Sequence, residues 1–327
     1  MKRRPLVVSA LAAGLSSTSI ATLSQKTTKR TRIGYLAPSW HPYYEDVFRQ
    51  ELRRLGYIDG KTIAVEYRSA EGVFTLLPAL AKQLVDLNVD VIVAQVTQAA
   101  IAASTATKTI PIVMIGVSDP VASGLVASLG RPGGNVTGTS AVAAGVVGKQ
   151  LELLRDLLPG LAQVAVLWNP ANSVFQQQQL KEAKEAAAEL RMQLQLFESR
   201  SPAELDHAFA TIAQDRPAAL LVLGDPLFVT LAKRIADLAI KRRLPAVSGS
   251  RVLAEAGLLM TYAPDYEEAY RRAASYVDRI IKGDRPADLA VERSTRFELV
   301  VNTTTAAKLG LTLPQSLLLR ADHVVKH

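Results

Sequence analysis

Beyond a polar stretch at residues 25–30, apolar positions fall into two patterns that alternate almost to the end of the chain. Residues 32–37 form a short apolar run, and residues 44–55 then place Phe48, Leu52 and Leu55 on one face of a helix that Gly56 closes. Residues 62–67 alternate, with Ile63, Val65 and Tyr67 on one side, as a half-buried strand does. A helix over 77–87 leads into the apolar run 89–94, and the run 110–115 repeats that pattern after another helix. Such runs suit strands covered on both faces, as in a parallel sheet.

Breakers gather at Arg131-Pro132-Gly133-Gly134-Asn135, followed by a short strand over 136–140 and an Ala- and Gly-rich stretch at 141–148. The first crossing between two lobes is placed there. The alternation restarts with a helix over 149–158, a strand over 164–168, a helix over 175–191 and a strand over 194–197. Ser201-Pro202-Ala203-Glu204 then opens a helix, with a capping box and Pro at the first helical position. Further strands read at 219–223, 244–247 and 258–262.

Repeated strand–helix units with short connections imply right-handed crossovers. The sequence therefore predicts an α/β chain of two doubly wound parallel-sheet lobes joined by a hinge. The expected division is a leader at 1–30, a first lobe from 31–143 plus about 264–292, and a second from 144–263 plus about 293–327, since 327 residues allow two domains. The hinge segments are expected near 140–148, 262–265 and 290–295.

In open α/β sheets ligands sit beyond the carboxyl ends of the strands, so the loops after each strand hold the candidate site. Those loops supply Ser39, Trp40, Tyr43, Thr97, Gln98, Ser118, Asp119 and Thr139 from the first lobe, and Asn169, Asn172, Asp225, Ser250 and Tyr262 from the second. Thr97, Ser118 and Ser250 at helix starts can help hold a carboxylate, because the first turn of a helix has unpaired N–H donors. Asp119 or Asp225 can pair with a ligand ammonium group, and Trp40, Tyr43 or Tyr262 can cover an apolar part or ring. Structural roles compete with each assignment. Asp119-Pro120 and Asp225-Pro226 also have the form of helix N-caps with Pro at the first helical position, Thr97 and Ser250 read as ordinary caps, and Asn169 and Asn172 can shape a turn.

Composition narrows the chemistry. Apolar residues make up 49% and charged residues 21%, the balance of a globular chain with a sizeable core. The net charge is +8, of which Lys2, Arg3 and Arg4 supply three, and no basic stripe with interleaved aromatics suggests nucleic acid. Cysteine is absent, which excludes disulfides, thiolate chemistry and a lipid-modified cysteine anchor. The four histidines, His41, His207, His323 and His327, are dispersed. No phosphate loop, dinucleotide fingerprint or GxSxG elbow follows a strand, so no cofactor, metal or catalytic residue is expected. Lys2-Arg3-Arg4, the apolar run 6–15 and Ser19-Ile20-Ala21 form a cleavable export signal, too short to span a bilayer. A periplasmic protein without stable membrane insertion is the expectation.

Several strings then join into one pattern. Ile33-Gly34-Tyr35-Leu36, Gly56-Tyr57-Ile58-Asp59-Gly60-Lys61, Val65-Glu66-Tyr67-Arg68, Asp119-Pro120-Val121, Arg131-Pro132-Gly133-Gly134-Asn135-Val136-Thr137-Gly138, Asn169-Pro170-Ala171-Asn172 and Phe297-Glu298-Leu299-Val300-Val301-Asn302 stand in that order. Together they resemble the ABC-transporter substrate-binding family that includes tryptophan- and tyrosine-import binding proteins, from about Arg32 to His327. The resemblance implies a type I periplasmic-binding-protein fold that closes over a small organic solute, an amino acid, aromatic or other. It also implies a permease and an ATPase as partners, and no reaction. Val96-Thr97-Gln98 departs from the small Gly-Thr-Pro or Thr-Pro-like turn the resemblance leads one to expect.

Two other readings compete. A ligand-sensing module of the same fold needs a DNA-binding or membrane-spanning segment, and none is legible. An α/β enzyme acting on a small acid would have Asp119, His41 and Asp225 as its acid–base groups.

Overall fold

The computed structural model describes residues 30–141 and 145–326. The export signal and part of the 141–148 stretch lie outside the described residues.

In chain order the elements are β1 (Thr31–Ala37), α1 (Pro42–Arg54), β2 (Ile63–Ser69), α2 (Leu77–Asp86), β3 (Val91–Gln95), α3 (Val96–Ala106), β4 (Ile112–Val117) and β5 (Val136–Ser140). They continue with α4 (Val146–Leu157), β6 (Gln163–Trp168), α5 (Ser173–Glu189), β7 (Gln193–Glu198), α6 (Pro202–Asp215), β8 (Ala219–Val222), α7 (Pro226–Thr230) and α8 (Ala232–Lys241). The last are β9 (Ala246–Ser248), α9 (Arg251–Glu255), β10 (Met260–Pro264), α10 (Tyr266–Ile281), β11 (Glu292–Arg293), β12 (Phe297–Asn302), α11 (Thr303–Leu309), α12 (Gln315–Arg320) and β13 (His323–Val325).

These strands build two sheets. The first has the order β11-β5-β4-β3-β1-β2 and the second β13-β12-β10-β9-β8-β6-β7. The fold is α/β with parallel pairing dominant, as the apolar runs predicted. Along β3, Val91 and Val93 join one core while Ile92 and Ala94 join another; along β8, Leu220 and Val222 likewise part from Ala219 and Leu221. The period of two thus splits each strand between layers, and all eight side chains are inaccessible to solvent.

One pairing departs from the expectation. β10 and β12 run antiparallel, with Met260 opposite Val301 and Pro264 opposite Phe297. The cause is connectivity. After β10 the chain enters the first sheet's layers as α10, which packs on α1, β4 and β5, and contributes β11 beside β5. It returns directly as β12 without a crossover helix, and so enters the second sheet from the opposite end.

Local caps set the helix starts. Ser201 Oγ accepts from the Glu204 N–H at 3.3 Å, and Asp265 Oδ1 accepts from the Glu268 N–H at 3.1 Å where α10 begins. Asp119 differs from the sequence expectation, because no helix follows it. Its Oδ1 accepts from the Val121 and Ala122 N–H groups at 3.1 and 2.9 Å, closing a turn. Between β4 and β5 the backbones approach so closely that a Cβ on Gly138, at φ +132°, would lie 2.1 Å from the Met114 carbonyl oxygen.

Candidate functional site

The carboxyl ends of β1, β3, β8 and β9 and the first turns of α1 and α10 surround one cavity. It holds about 670 Å³ of atom-free space, including the part open to solvent. The first sheet's side presents Ser39, His41, Tyr44, Gln95, Val96, Ile115, Tyr266 and Tyr270. The second sheet's side presents Phe175, Gly224, Asp225, Pro226, Val229, Gly249 and Ser250. Each wall follows from a strand ending and the chain turning sharply into a helix.

The turn after β3 is strained. Val96 adopts φ +56°, a left-handed conformation that a β-branched residue pays about 1–2 kcal/mol to hold. This turn is where the family resemblance leads one to expect a small Gly-Thr-Pro or Thr-Pro-like sequence. After β4, Gly116 at φ +63° leaves room for Tyr266, whose ring would lie 3.3 Å from a Cβ there. The aromatic wall is continuous: Tyr44 stacks on Tyr270 with centroids 5.1 Å apart and meets Tyr266 at 6.1 Å.

Among the described residues, Asp225 is the one carboxylate in the wall. Asp225 is 3% exposed and caps α7, with Oδ1 accepting from the Leu227 N–H at 2.9 Å. Asn169 Nδ2 donates to Oδ1 at 3.1 Å and Asn172 Nδ2 to Oδ2 at 2.8 Å. Burial pushes the carboxyl up to about 6, while the two amides and the backbone donor pull it back. Burial also lowers the His41 imidazole and raises the phenols of Tyr44, Tyr266 and Tyr270, so the rings stay neutral near pH 7. No Lys or Arg lines the cavity among the described residues. An amine is therefore complemented here and a dianion is not.

Of the residues singled out from sequence, Ser39, Asp225 and Ser250 are in the wall. Asn169 and Asn172 lie behind Asp225, and Gln98 donates its side-chain amide to Asn172 Oδ1 from the other lobe. Ser118 lines an adjoining compartment with Gln150, Gln179 and Glu182, and Thr97 Oγ1 accepts from its N–H at 3.2 Å. Thr139 is buried, with its hydroxyl accepting from the Gly116 N–H at 3.1 Å.

Asp119 and three aromatics are placed elsewhere. Asp119 is engaged by its own turn, as described. Trp40 lies edge-on to Tyr67 at 5.0 Å, Tyr43 bonds Glu267 beneath Arg251, and Tyr262 stacks on Phe297 at 5.8 Å. None of these lines the cavity. Each already has a partner outside the cavity, on an element distant in the chain, which is why the loop position alone misplaced it.

Sequence reasoning did not select Tyr44, Phe175, Tyr266 or Tyr270. They sit within helices, in the first turn or just beyond it, past the strand-end loops. The signal available was Tyr266 and Tyr270, spaced i, i+4 on the face of α10 that follows directly from β10. Among the described residues no group of three His, Cys, Asp or Glu is placed to hold a metal ion, and no helix is long and apolar enough to cross a membrane.

Two sheets of this order, covered by helices and facing a shared cavity, define the type I periplasmic-binding-protein fold. The chain matches the ABC transporter substrate binding protein family over residues 43–325 and belongs to it. It is 28% identical to the tyrosine-binding protein of Clostridioides difficile over 286 residues, 86% of this chain and 82% of that one. A crystal structure from Streptococcus pneumoniae in complex with L-Trp is 26% identical, with a TM-score of 0.81 over 90% of this chain and 100% of that one. A ligand-free, open substrate-binding protein with adhesive properties from Clostridium difficile is also 26% identical, covers 91% and 100%, and gives a TM-score of 0.64.

Proposed function

We propose that this protein is the extracytoplasmic solute-binding component of an ABC importer, and that it captures an amino acid with an aromatic side chain between its lobes and releases it unaltered. The carrying observation is the cavity itself: one buried carboxylate, Asp225, faces rings of Tyr44, Phe175, Tyr266 and Tyr270 with no cationic side chain beside them. In this reading Asp225 takes the ammonium group, and the hydroxyls and backbone N–H groups at Ser39 and Ser250 take the carboxylate. The rings cover the side chain.

Closure of the lobes about the hinge segments expected near 140–148, 262–265 and 290–295 would bury the solute and bias the closed state. At equal identity, the higher TM-score to the L-Trp complex than to the open, ligand-free structure supports such a closing motion. A permease and an ATPase would read the closed state. The lobe limits are those stated from sequence, and the N-terminal segment is proposed as a cleaved signal delivering the protein to the periplasm without a lipid anchor. The reading includes no catalysis.

Mass spectrometry of the solute that co-purifies, followed by calorimetry with aromatic and branched amino acids, tests this. Binding of an aromatic amino acid, recovered intact, is expected. Failure of all amino acids to bind, or chemical turnover of the bound solute, sinks it.

A further inference from the structure

The three helices that lead into β7, β8 and β9 end alike. One or two residues past the last residue of α5, α6 and α8 the backbone enters the left-handed region, at φ +56°, +49° and +54°, and the residues there are Arg191, Arg216 and Arg243. Glycine takes this conformation without strain, and the chain uses it at the same place after α1, α9 and α10, as Gly56, Gly257 and Gly283. Arginine there carries a steric cost, because its Cβ crowds the following carbonyl. No contact of the side chains offsets it: all three are exposed, and among the described residues none makes a side-chain hydrogen bond or an ion pair. Strain kept at one kind of position, for a charge that the fold itself does not use, points outward.

The sheet brings these arginines to one rim. Strands β9, β8, β6 and β7 are adjacent and parallel and start level: Gln163 of β6 faces Gln193 of β7, Val164 faces Ala219 of β8, and Leu220 faces Ala246 of β9. Each arginine stands two or three residues before its strand, so at a strand spacing of about 4.8 Å the row is roughly 14 Å wide. Arg155 in the last turn of α4 and Lys241 at the end of α8 add to it, both exposed and without an ion pair among the described residues. The acids beside them are Glu189 and Asp215, while Asp156 is engaged by Arg320 at 3.4 Å, so cations are in excess. None of the large apolar side chains that stay exposed among the described residues belongs to these turns. A docking face for a folded protein has an apolar core, whereas a layer of phosphate headgroups needs only spread positive charge. We infer that this rim of the second sheet rests on the surface of an anionic lipid bilayer, with the guanidinium groups of Arg191, Arg216 and Arg243 against headgroup phosphates. The contact is peripheral, and the cavity lies at the opposite, carboxyl ends of β8 and β9, so docking leaves the solute site open.

The test is co-sedimentation of the full chain with phosphatidylcholine vesicles, with and without about 30% phosphatidylglycerol, for the wild type and the triple variant Arg191→Gly, Arg216→Gly, Arg243→Gly. The wild type should favour the anionic vesicles, and about 0.5 M salt should abolish the preference. At about fivefold for each residue, the triple variant should bind them about a hundredfold more weakly. Residues 1–30 are common to both proteins, so the difference between them reads the rim. Glycine suits the left-handed turns, and the variant's urea midpoint should stay close to that of the wild type. Arg216→Gly alone, expected to be about fivefold weaker, carries the test if the triple variant does not fold. Equal binding of the wild type to both kinds of vesicle overturns the inference. So does a variant that unfolds at lower urea yet binds as the wild type does, which would make the arginines stabilisers of helix ends. Tighter binding to poly-L-glutamate than to the vesicles would assign the rim to an acidic protein and overturn the lipid contact. None of these outcomes touches the aromatic amino-acid reading, because no residue of the rim lines the cavity.

Discussion

Asn172 Nδ2 lies 2.8 Å from Asp225 Oδ2, and the same amide's oxygen accepts from Gln98 on the opposite lobe. One side chain therefore both holds the carboxylate that lines the cavity and bridges the cleft. Charge at the site and the juxtaposition of the lobes are coupled through it.

The first prediction concerns pH. Folding raises the Asp225 carboxyl from 3.8 to about 6, so between those values the native state keeps a proton that the unfolded chain has lost. Its contribution to stability is present below pH 3.8 and is lost as pH rises through about 6. An ammonium ligand needs the ionised form, so binding runs the other way. Affinity for an aromatic amino acid should be about tenfold weaker at pH 5 than at pH 7.5. Calorimetry on the wild type and Asp225→Asn checks this: the variant should bind weakly at both pH values, and an equally steep profile in the variant would remove Asp225 from the site.

Arg251 predicts how the cleft is held. From α9 it reaches Glu267 on α10 and Glu298 on β12, each at 3.5 Å, and lies 5.6 Å from the centre of the Tyr43 ring. Burial pushes the Glu298 carboxyl up to about 7, with Arg251 pulling it down. Arg251→Met should weaken solute affinity about fivefold and expand the ligand-free protein, because the ion pair and the cation–ring contact both join the two lobes. Small-angle scattering reads the expansion. Unchanged dimensions together with unchanged affinity would refute a role in closure.

Gly138 predicts a packing limit. With a Cβ 2.1 Å from the Met114 carbonyl, Gly138→Ala must separate β4 from β5, at a cost of about 3 kcal/mol or more. Gly130→Ala meets nothing within 4 Å and should cost under about 1 kcal/mol. Urea unfolding of both variants measures the contrast, and equal midpoints would contradict the close approach.

Val96 predicts relief of strain. Replacing it by glycine removes the left-handed penalty of about 1–2 kcal/mol while adding backbone entropy of about 0.5–1 kcal/mol to the unfolded chain. Val96→Gly should therefore lie within about 1 kcal/mol of the native protein despite the lost side chain. Val93→Gly, in the buried strand beside it, should cost about 3 kcal/mol or more. Similar losses in the two variants would show that Val96 is unstrained.

Much of the architecture was written in local pattern. The runs around Ile33, Val91, Val113 and Ala165 are apolar without alternation, and only a strand covered on both faces needs that; these positions are inaccessible to solvent. The direction of β12 was not written there, because strand direction depends on where the chain comes from and carries no composition. At the site, the strand-end rule found Ser39, Asp225 and Ser250, whose placement follows from the backbone alone. It missed Tyr44, Phe175, Tyr266 and Tyr270, whose rings enter the cavity from helices.

The sequence by itself determined two α/β repeats, the loops that carry ligand-facing groups and the family to which they belong, because each depends on neighbours along the chain. Only the tertiary structure decided that Asp225 is the one acidic or basic side chain in the wall among the described residues, that Trp40, Tyr43 and Tyr262 pack elsewhere, and that Tyr44, Tyr266 and Tyr270 meet in one aromatic wall. Burial and pairing across the cleft set those outcomes, and they arise between residues that are far apart in the chain and meet only when both sheets are in place.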